Sequence, residues 1–144
     1  MRIVDYAPRH AEAWRTLNEA WIARMFALEP HDREQLDDPE GEILGSGGRI
    51  FMLEAEGGRE VGCVALVAMP DGGFELAKMM VSEEVRGSGL GRRLLDHAVA
   101  AARAAGAPRV YLETNSRASA AVRLYRAAGF VDLPPQPSPY ARCD

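Results

Sequence analysis

Hydrophobic and polar positions change period several times along the chain, and each change marks an element. RIVDY at 2–6 reads as a short opening strand. Pro8 then suits the first turn of a helix, where its missing N–H costs nothing. Trp14, Leu17, Trp21, Met25 and Leu28 recur at three- and four-residue steps, widened by Ile22 and Phe26. That spacing predicts an amphipathic helix from Pro8 to Leu28 packed on a sheet. Glu29-Pro30-His31-Asp32 breaks the period. The polar stretch to Gly48, with Pro39, Gly41, Gly45 and Gly47, predicts a short helix plus a flexible loop.

The pattern then changes to apolar runs. RIFMLEAE, REVGCVALVAM and FELAKMMV are rich in Val, Leu, Phe and Met, and Gly57-Gly58 and Pro70-Asp71-Gly72-Gly73 separate them, so an antiparallel meander is expected. From Gly89 to Ala105 the helical period returns in Leu90, Leu94, Leu95, Ala98, Val99 and Ala102, with Gly106 and Pro108 as a stop. RVYLETN reads as a fifth strand. Ser119 to Ala128 reads as a helix with Ala121, Val122, Tyr125 and Ala128 on one face. After Gly129-Phe130-Val131, PPQPSPYARCD has four prolines in eleven residues, and little regular structure is expected there.

Composition narrows the function. A length of 144 residues fits one domain, 1–144. With 21 acidic against 17 basic residues, the net charge is −4, so no net field draws the chain to nucleic acid or an anionic membrane. The apolar runs fall far short of the roughly 20 residues of a membrane-spanning helix. Cys63 and Cys143 lack metal spacing, as do His10, His31 and His97, so no metal is expected. The start MRIVDY lacks a secretory pattern, which leads to a cytoplasmic expectation.

The chemistry concentrates in Arg86-Gly87-Ser88-Gly89-Leu90-Gly91-Arg92, between a strand and the strongest helix. Alternating glycines let backbone N–H groups approach an anion, the helix start adds its positive end, and Arg86, Arg92 and Arg93 add charge. A pyrophosphate suits such a loop. A dinucleotide GxGxxG would need Gly at 92, and no P-loop GK[ST] is present.

Arg-x-x-Gly-x-Gly here resembles the GNAT superfamily of acetyl-CoA-dependent N-acetyltransferases. FELAKMMVSEEVRGSGLGRRLLDHA is similar to that family's fourth strand, pyrophosphate loop and third helix, YLETNS to its fifth strand, and AVRLYRAAGF to its LYxxxGF helix ending. GGRIFMLEAEGGREVGCVAL resembles its second and third strands. The resemblance implies an α+β (α/β) fold with a mixed, mostly antiparallel sheet, splayed fourth and fifth strands, and flanking helices. It implies acetyl-CoA as co-substrate. The pantetheine arm would pair with the backbone of Met79, Met80 and Val81, and the pyrophosphate would meet Arg86 to Arg92. Many relatives carry a cofactor-contacting asparagine where Ala118 stands here, and Asn115 or Ser119 is the substitute. The expected reaction is acetyl transfer to an amine of a small-molecule or peptide acceptor in a ternary complex. A non-catalytic acetyl-CoA sensor is the alternative.

At pH 7 an amine of pKa about 10.4 is neutral only about one part in 2,500, a penalty of roughly 4.6 kcal/mol, so a base is useful. Glu75 stands six residues before Val81, where some relatives carry the general base. Its strand phase, shared with Ala77 and Met79, differs from that of Phe74 and Leu76. Glu113 is the reserve. Tyr125 matches the tyrosine that relatives use as general acid on the departing thiolate. Trp14, Asn18, Trp21, Phe26 and Glu29 are candidates for the acceptor wall, their aromatic and acidic character suiting a cation. Relatives usually continue past YARCD into a full last strand, so the C-terminal edge here is expected either to be short or to be completed by a second copy in a homodimer.

Overall fold

Residues 1–25, 27–113 and 119–131 are described in the computed structural model. Five strands, β1 (Arg2–Asp5), β2 (Arg49–Glu54), β3 (Glu60–Ala68), β4 (Phe74–Val81) and β5 (Val110–Leu112), form one sheet in the order β1-β2-β3-β4-β5. The first four pair antiparallel, as the meander predicts, and β4 pairs parallel with β5. Helices α1 (Ala11–Met25) and α2 (Pro30–Asp37) cover one face, where Trp14 and Leu36 pack on Met52, Cys63, Ala65 and Met80. Helix α3 (Leu90–Ala104) covers the other, where Leu90, Leu94, Leu95 and Ala98 pack on Phe51, Val64, Leu66, Phe74 and Leu76. The short helix α4 (Ser119–Ala127) joins that second core through Leu124 and Tyr125. Each buried Leu of these cores contributes about 2 kcal/mol of transfer free energy.

The long first helix is shorter than its stripe predicts. Pro8–His10 is a 3-10 turn, α1 ends at Met25, and Leu28 lies beyond it. Pro30 also starts a helix: it occupies the first turn of α2, and Asp32 Oδ2 accepts the Glu29 N–H at 2.9 Å. The segment expected as a flexible loop contains a π-helical turn, Glu40–Leu44, closed by Gly45 N–H to the Glu40 carbonyl and Gly48 N–H to the Ile43 carbonyl, with Ile43 buried beneath it. Strand β5 spans three residues rather than the seven of RVYLETN.

β4 contains a bulge. Cys63 pairs with Met80 but Ala65 pairs with Ala77, so one β3 residue, Val64, faces two on β4, Lys78 and Met79. Lys78 sits in this step with φ +54°, the left-handed region, which costs a side-chain-bearing residue about 1 kcal/mol. The extra residue reverses the alternation. Glu75 and Ala77 face α1 and α2, opposite Phe74 and Leu76, but Met79 and Val81 pack on the α3 side and Met80 on the α1 side. The expected shared phase of Glu75 and Met79 is therefore wrong, because plain alternation does not survive a bulge.

At the far end of β2, Glu54 is almost fully buried among cations. Its Oε2 accepts from Arg9 at 2.7 Å and from His10 Nε2 at 2.9 Å, while Oε1 lies 3.3 Å from Arg2 without hydrogen-bond geometry. His10 Nδ1 accepts the Ala7 N–H, so Nε2 carries the ring proton. Hydrogen bonds from His10 and Arg9 hold the Glu54 carboxyl down at about 2, below its ordinary 4.5. The folded-state value lies below the unfolded one, so this stabilisation is complete above about pH 4.5 and is lost as pH falls towards about 2. Melting temperature followed by circular dichroism should drop across that window. In Glu54→Gln the drop should be shallower and start from a lower plateau, and parallel curves for the two proteins would refute the assignment.

Candidate active site

The sheet leaves a gap on one side of β4. β3 pairs with it from Phe74 to Val81, but its pairing with β5 stops at Leu76↔Leu112. Among the described residues, 77–81 therefore have no strand partner on the β5 side. This is the splay expected from the sequence, and it leaves the outward-facing backbone groups of the Met79–Val81 stretch as an edge that an extended ligand can join.

Ser82 and the 3-10 turn Glu83–Val85 carry the chain from this edge into the glycine loop. Arg86 Nε donates to the Val81 carbonyl at 3.2 Å, tying the loop to the strand end, and Ser88 Oγ donates to the Val85 carbonyl. Gly87 and Gly89 have φ of +80° and +79°, and a Cβ on either would meet nothing within 4 Å, so the loop needs glycine for its backbone angles and not for lack of room. Gly89 is the N-cap of α3 and supplies no side-chain cap, which leaves the first N–H groups of Leu90, Gly91 and Arg92 pointing out of the helix. Gly91 lies against the two flanking elements: a Cβ there would stand in ordinary van der Waals contact, 3.7 Å from Leu124 of α4 and 4.0 Å from Val81 of β4.

Arg86, Ser88, Leu90 and Arg93, with Met1, Glu84 and Val85, line an open depression of about 410 Å³ beside the loop. Arg92 is engaged by Asp96 one turn on, at 2.9 Å. Leu90 has its side chain in the α3 core, so only its backbone is available.

Glu75 is half-buried on the α1/α2 face, and three influences act on its carboxyl. Burial raises its pKa and so does the charge of Glu113, while Lys78 pulls it down; the net direction is upward. Glu113 lies just beyond β5 and is exposed. Tyr125 is on the opposite face, tilted edge-on to Phe130 with centroids 6.0 Å apart, and burial pushes its phenol up to about 12. Base candidate and acid candidate thus lie on the two sides of β4.

The acceptor-wall candidates divide. Trp14 and Asn18 are core: Trp14 donates to the Gln35 carbonyl at 3.1 Å, and Asn18 donates to the Trp14 carbonyl and to Cys63 Sγ. Trp21 is half-buried, and the backbone of Glu29 caps α2. Asn115, Phe26, Ala118 and Cys143 lie outside the described residues. So does the stretch 132–144, on which the expectation of a homodimer rests. Sequence reasoning missed Lys78 and Asp32, whose buried ion pair spans 2.7 Å from Nζ to Oδ1. A lysine amid the apolar run of β4 was the signal for it.

Residues 11–130 match the acetyltransferase (GNAT) family. The chain belongs to that family. An IAA acetyltransferase of Azospirillum brasilense is 38% identical over 86 residues, 59% of this chain, and the chain spans 56% of that relative's length. A GNAT-family acetyltransferase from Staphylococcus aureus Mu50 superposes with a TM-score of 0.87, covering 99% of this chain and 94% of its own, at 22% identity. An acetyltransferase from Streptococcus agalactiae 2603 gives 0.79 over 92% and 84%, also at 22% identity. At these identities the structural likenesses establish the shared fold. Members of this family generally use acetyl-CoA, and the bare strand edge running into an uncapped, glycine-lined helix start fits the amides and diphosphate of that molecule. No helix among the described residues is long and apolar enough to cross a membrane. His10, Glu54 and Glu60 bring ligand-type atoms within 4.8 Å, but Glu54 is already occupied by Arg9 and the His10 ring N–H.

The loop geometry yields a direct test. Gly89→Ala forces a Cβ into the left-handed region without any clash, so unfolding by urea should show a loss of about 1 kcal/mol. A loss of several kcal/mol would mean that the space around the N-cap is filled.

Proposed function

We propose that this protein transfers the acetyl group of acetyl-CoA to an amine of a small-molecule or peptide acceptor, both substrates being bound together. The observation that carries the reading is the half-open β4 edge leading into the left-handed glycine loop at the start of α3. In this reading 1–144 act as one domain, working in the cytoplasm. Met79, Met80 and Val81 hold the pantetheine amides through their backbone. The N–H groups from Gly87 to Arg92 and the charges of Arg86 and Arg93 hold the diphosphate.

The amine nitrogen attacks the thioester carbon, a C–N bond forms, the C–S bond breaks, and the nitrogen sheds its remaining extra proton to solvent as the amide forms. Glu75 takes the ammonium proton, directly or through a water. Its raised pKa makes its ionised form a stronger base than an ordinary carboxylate. Tyr125 faces the departing sulfur. A phenol near 12 lies about 3.5 units above an ordinary thiol, so full proton transfer would run roughly 5 kcal/mol uphill. The hydroxyl therefore stabilises the thiolate by donating a hydrogen bond, and solvent supplies the final proton.

Thiol release from acetyl-CoA with a panel of amines, and with IAA because of the Azospirillum relative, tests the activity. Glu75→Gln should lower kcat/KM by about a hundredfold to ten-thousandfold at pH 7 and remove an acid limb lying above the usual carboxylate range, since the base form of Glu75 fills only as pH rises through its raised value. Retention of that limb in the variant assigns the base elsewhere, with Glu113 next. Tyr125→Phe keeps the ring against Phe130 and removes one donor, so kcat should fall by roughly tenfold to a hundredfold while acetyl-CoA affinity stays near wild type. A thioester with a more acidic thiol should narrow the deficit; equal deficits with both donors would remove the hydroxyl from the mechanism.

A further inference from the structure

Lys78 combines features that no other described residue shares. It is the non-glycine residue with positive φ, it occupies the β4 bulge, and its ammonium is buried, with 4% of the side chain exposed. Asp32 faces it at 2.7 Å with no exposed side-chain surface. Both ends of the pair are tied further. The Lys78 carbonyl accepts from the Cys63 thiol at 3.3 Å, and Cys63 Sγ in turn accepts from Asn18 of α1. The second Asp32 oxygen takes the Glu29 N–H at the start of α2. A single chain of contacts therefore runs from the first turn of α2 through the bulge to α1.

Stability alone is a poor reason for such a pair, because desolvating two charges offsets most of their attraction and apolar replacement of both partners is commonly neutral or stabilising. Fixing one backbone conformation is a better reason. The bulge decides which of Met79 and Met80 faces which core, and with it the direction of the backbone groups on the open edge. A regular β4 would exchange the two side chains between faces and rotate the edge N–H groups with them.

We propose that the Lys78–Asp32 pair is a positioning clamp for acetyl transfer, holding the β4 bulge in the register that presents the Met79–Val81 backbone to the acyl-thioester and fastening that edge to the start of α2. This rests on the acetyl-transfer reading for its kinetics, but the clamp itself has a readout that needs no turnover.

The test compares two double variants in the full chain. Lys78→Met with Asp32→Leu removes both charges and leaves a side chain that disfavours positive φ. Lys78→Gly with Asp32→Leu removes the same charges but leaves a residue at ease in the bulge. Kinetics are compared on the high-pH plateau, so that losing the Lys78 charge near Glu75 does not pass for a positional effect. The first variant should fold, lose at least tenfold in kcat, raise the KM for acetyl-CoA, and show at least tenfold faster amide hydrogen exchange at Met79 to Val81. The glycine variant should recover to within about threefold of wild type. Wild-type kcat and exchange in the methionine variant would overturn the clamp, as would equal deficits in both. If the methionine variant does not fold, Asp32→Asn decides: unchanged exchange at Met79 to Val81 overturns the proposal and acceleration supports it. Absence of acetyl transfer by the wild-type chain, with exchange behaving as expected, would sink the functional reading and leave the clamp standing.

Discussion

Among the described residues, β4 pairs with β3 from Phe74 to Val81 apart from the bulge at Lys78 and Met79, but with β5 over three residues, and this asymmetry organises the rest of the molecule. A row of unpaired backbone groups inside a sheet is costly unless water or a ligand satisfies it. The same edge in a continuous sheet would be closed by the next strand. Here the parallel pairing ends where Leu76 meets Leu112, and the chain beyond β4 folds into a glycine loop whose N–H groups extend the row of donors up to the start of α3. On the proposed reading, the ligand is therefore met by backbone groups of the strand, the loop and the helix start. Glycine matters there for its backbone angles, as at Gly87 and Gly89.

The two faces of the sheet solve different problems. The α3 face buries an apolar core of Leu, Val and Phe. The α1/α2 face mixes Trp14, Ile50 and Met52 with buried Asn18, Asp32, Gln35 and the stem of Lys78. A buried polar group left without a partner costs about 1–3 kcal/mol. Bonds such as Asn18 to the Trp14 carbonyl and Lys78 to Asp32 keep that cost from accumulating. The consequence is a face that is dry yet polar, next to a carboxylate whose ionisation is sensitive to both properties. Glu75 feels burial and Glu113 in one direction and Lys78 in the other. Its upward shift is therefore a balance that a purely apolar face would tip further.

Elements with strong periodicity were legible without coordinates. The stripe from Leu90 to Ala102 placed α3 to within a residue, and the apolar runs with the glycine turns between them placed the meander. The glycine loop was legible because positive φ demands a residue type that shows in the sequence. What escaped reading depends on distance in space. The phase of Met79 was lost because a bulge occupied by lysine, not glycine, carries no local mark. Trp14 and Asn18 looked like an acceptor wall because an aromatic and an amide on a helix say nothing of what lies above them; the underside of α2 does. The Glu54 cluster joins residues 2, 9, 10 and 54, which no spacing rule connects. The ends of helices moved for the usual reason, that Pro30 can start an element as readily as stop one.

The opposed placement of Glu75 and Tyr125 makes chemical sense of the gap on the proposed reading. Glu75 sits with Ala77 on the face of β4 that carries α1 and α2, and Tyr125 packs with the core of α3 and α4 on the other. An amine that loses its proton to Glu75 must approach from the first side, and a sulfur that meets the Tyr125 hydroxyl must leave towards the second. The acyl carbon then has to lie between them, in the one place where the sheet is open. With a full β5 alongside, the same two side chains would be separated by closed backbone and could not act on one molecule. The short β5 is therefore as much a part of the chemistry as either side chain, because it turns two faces of one sheet into the two ends of one reaction path.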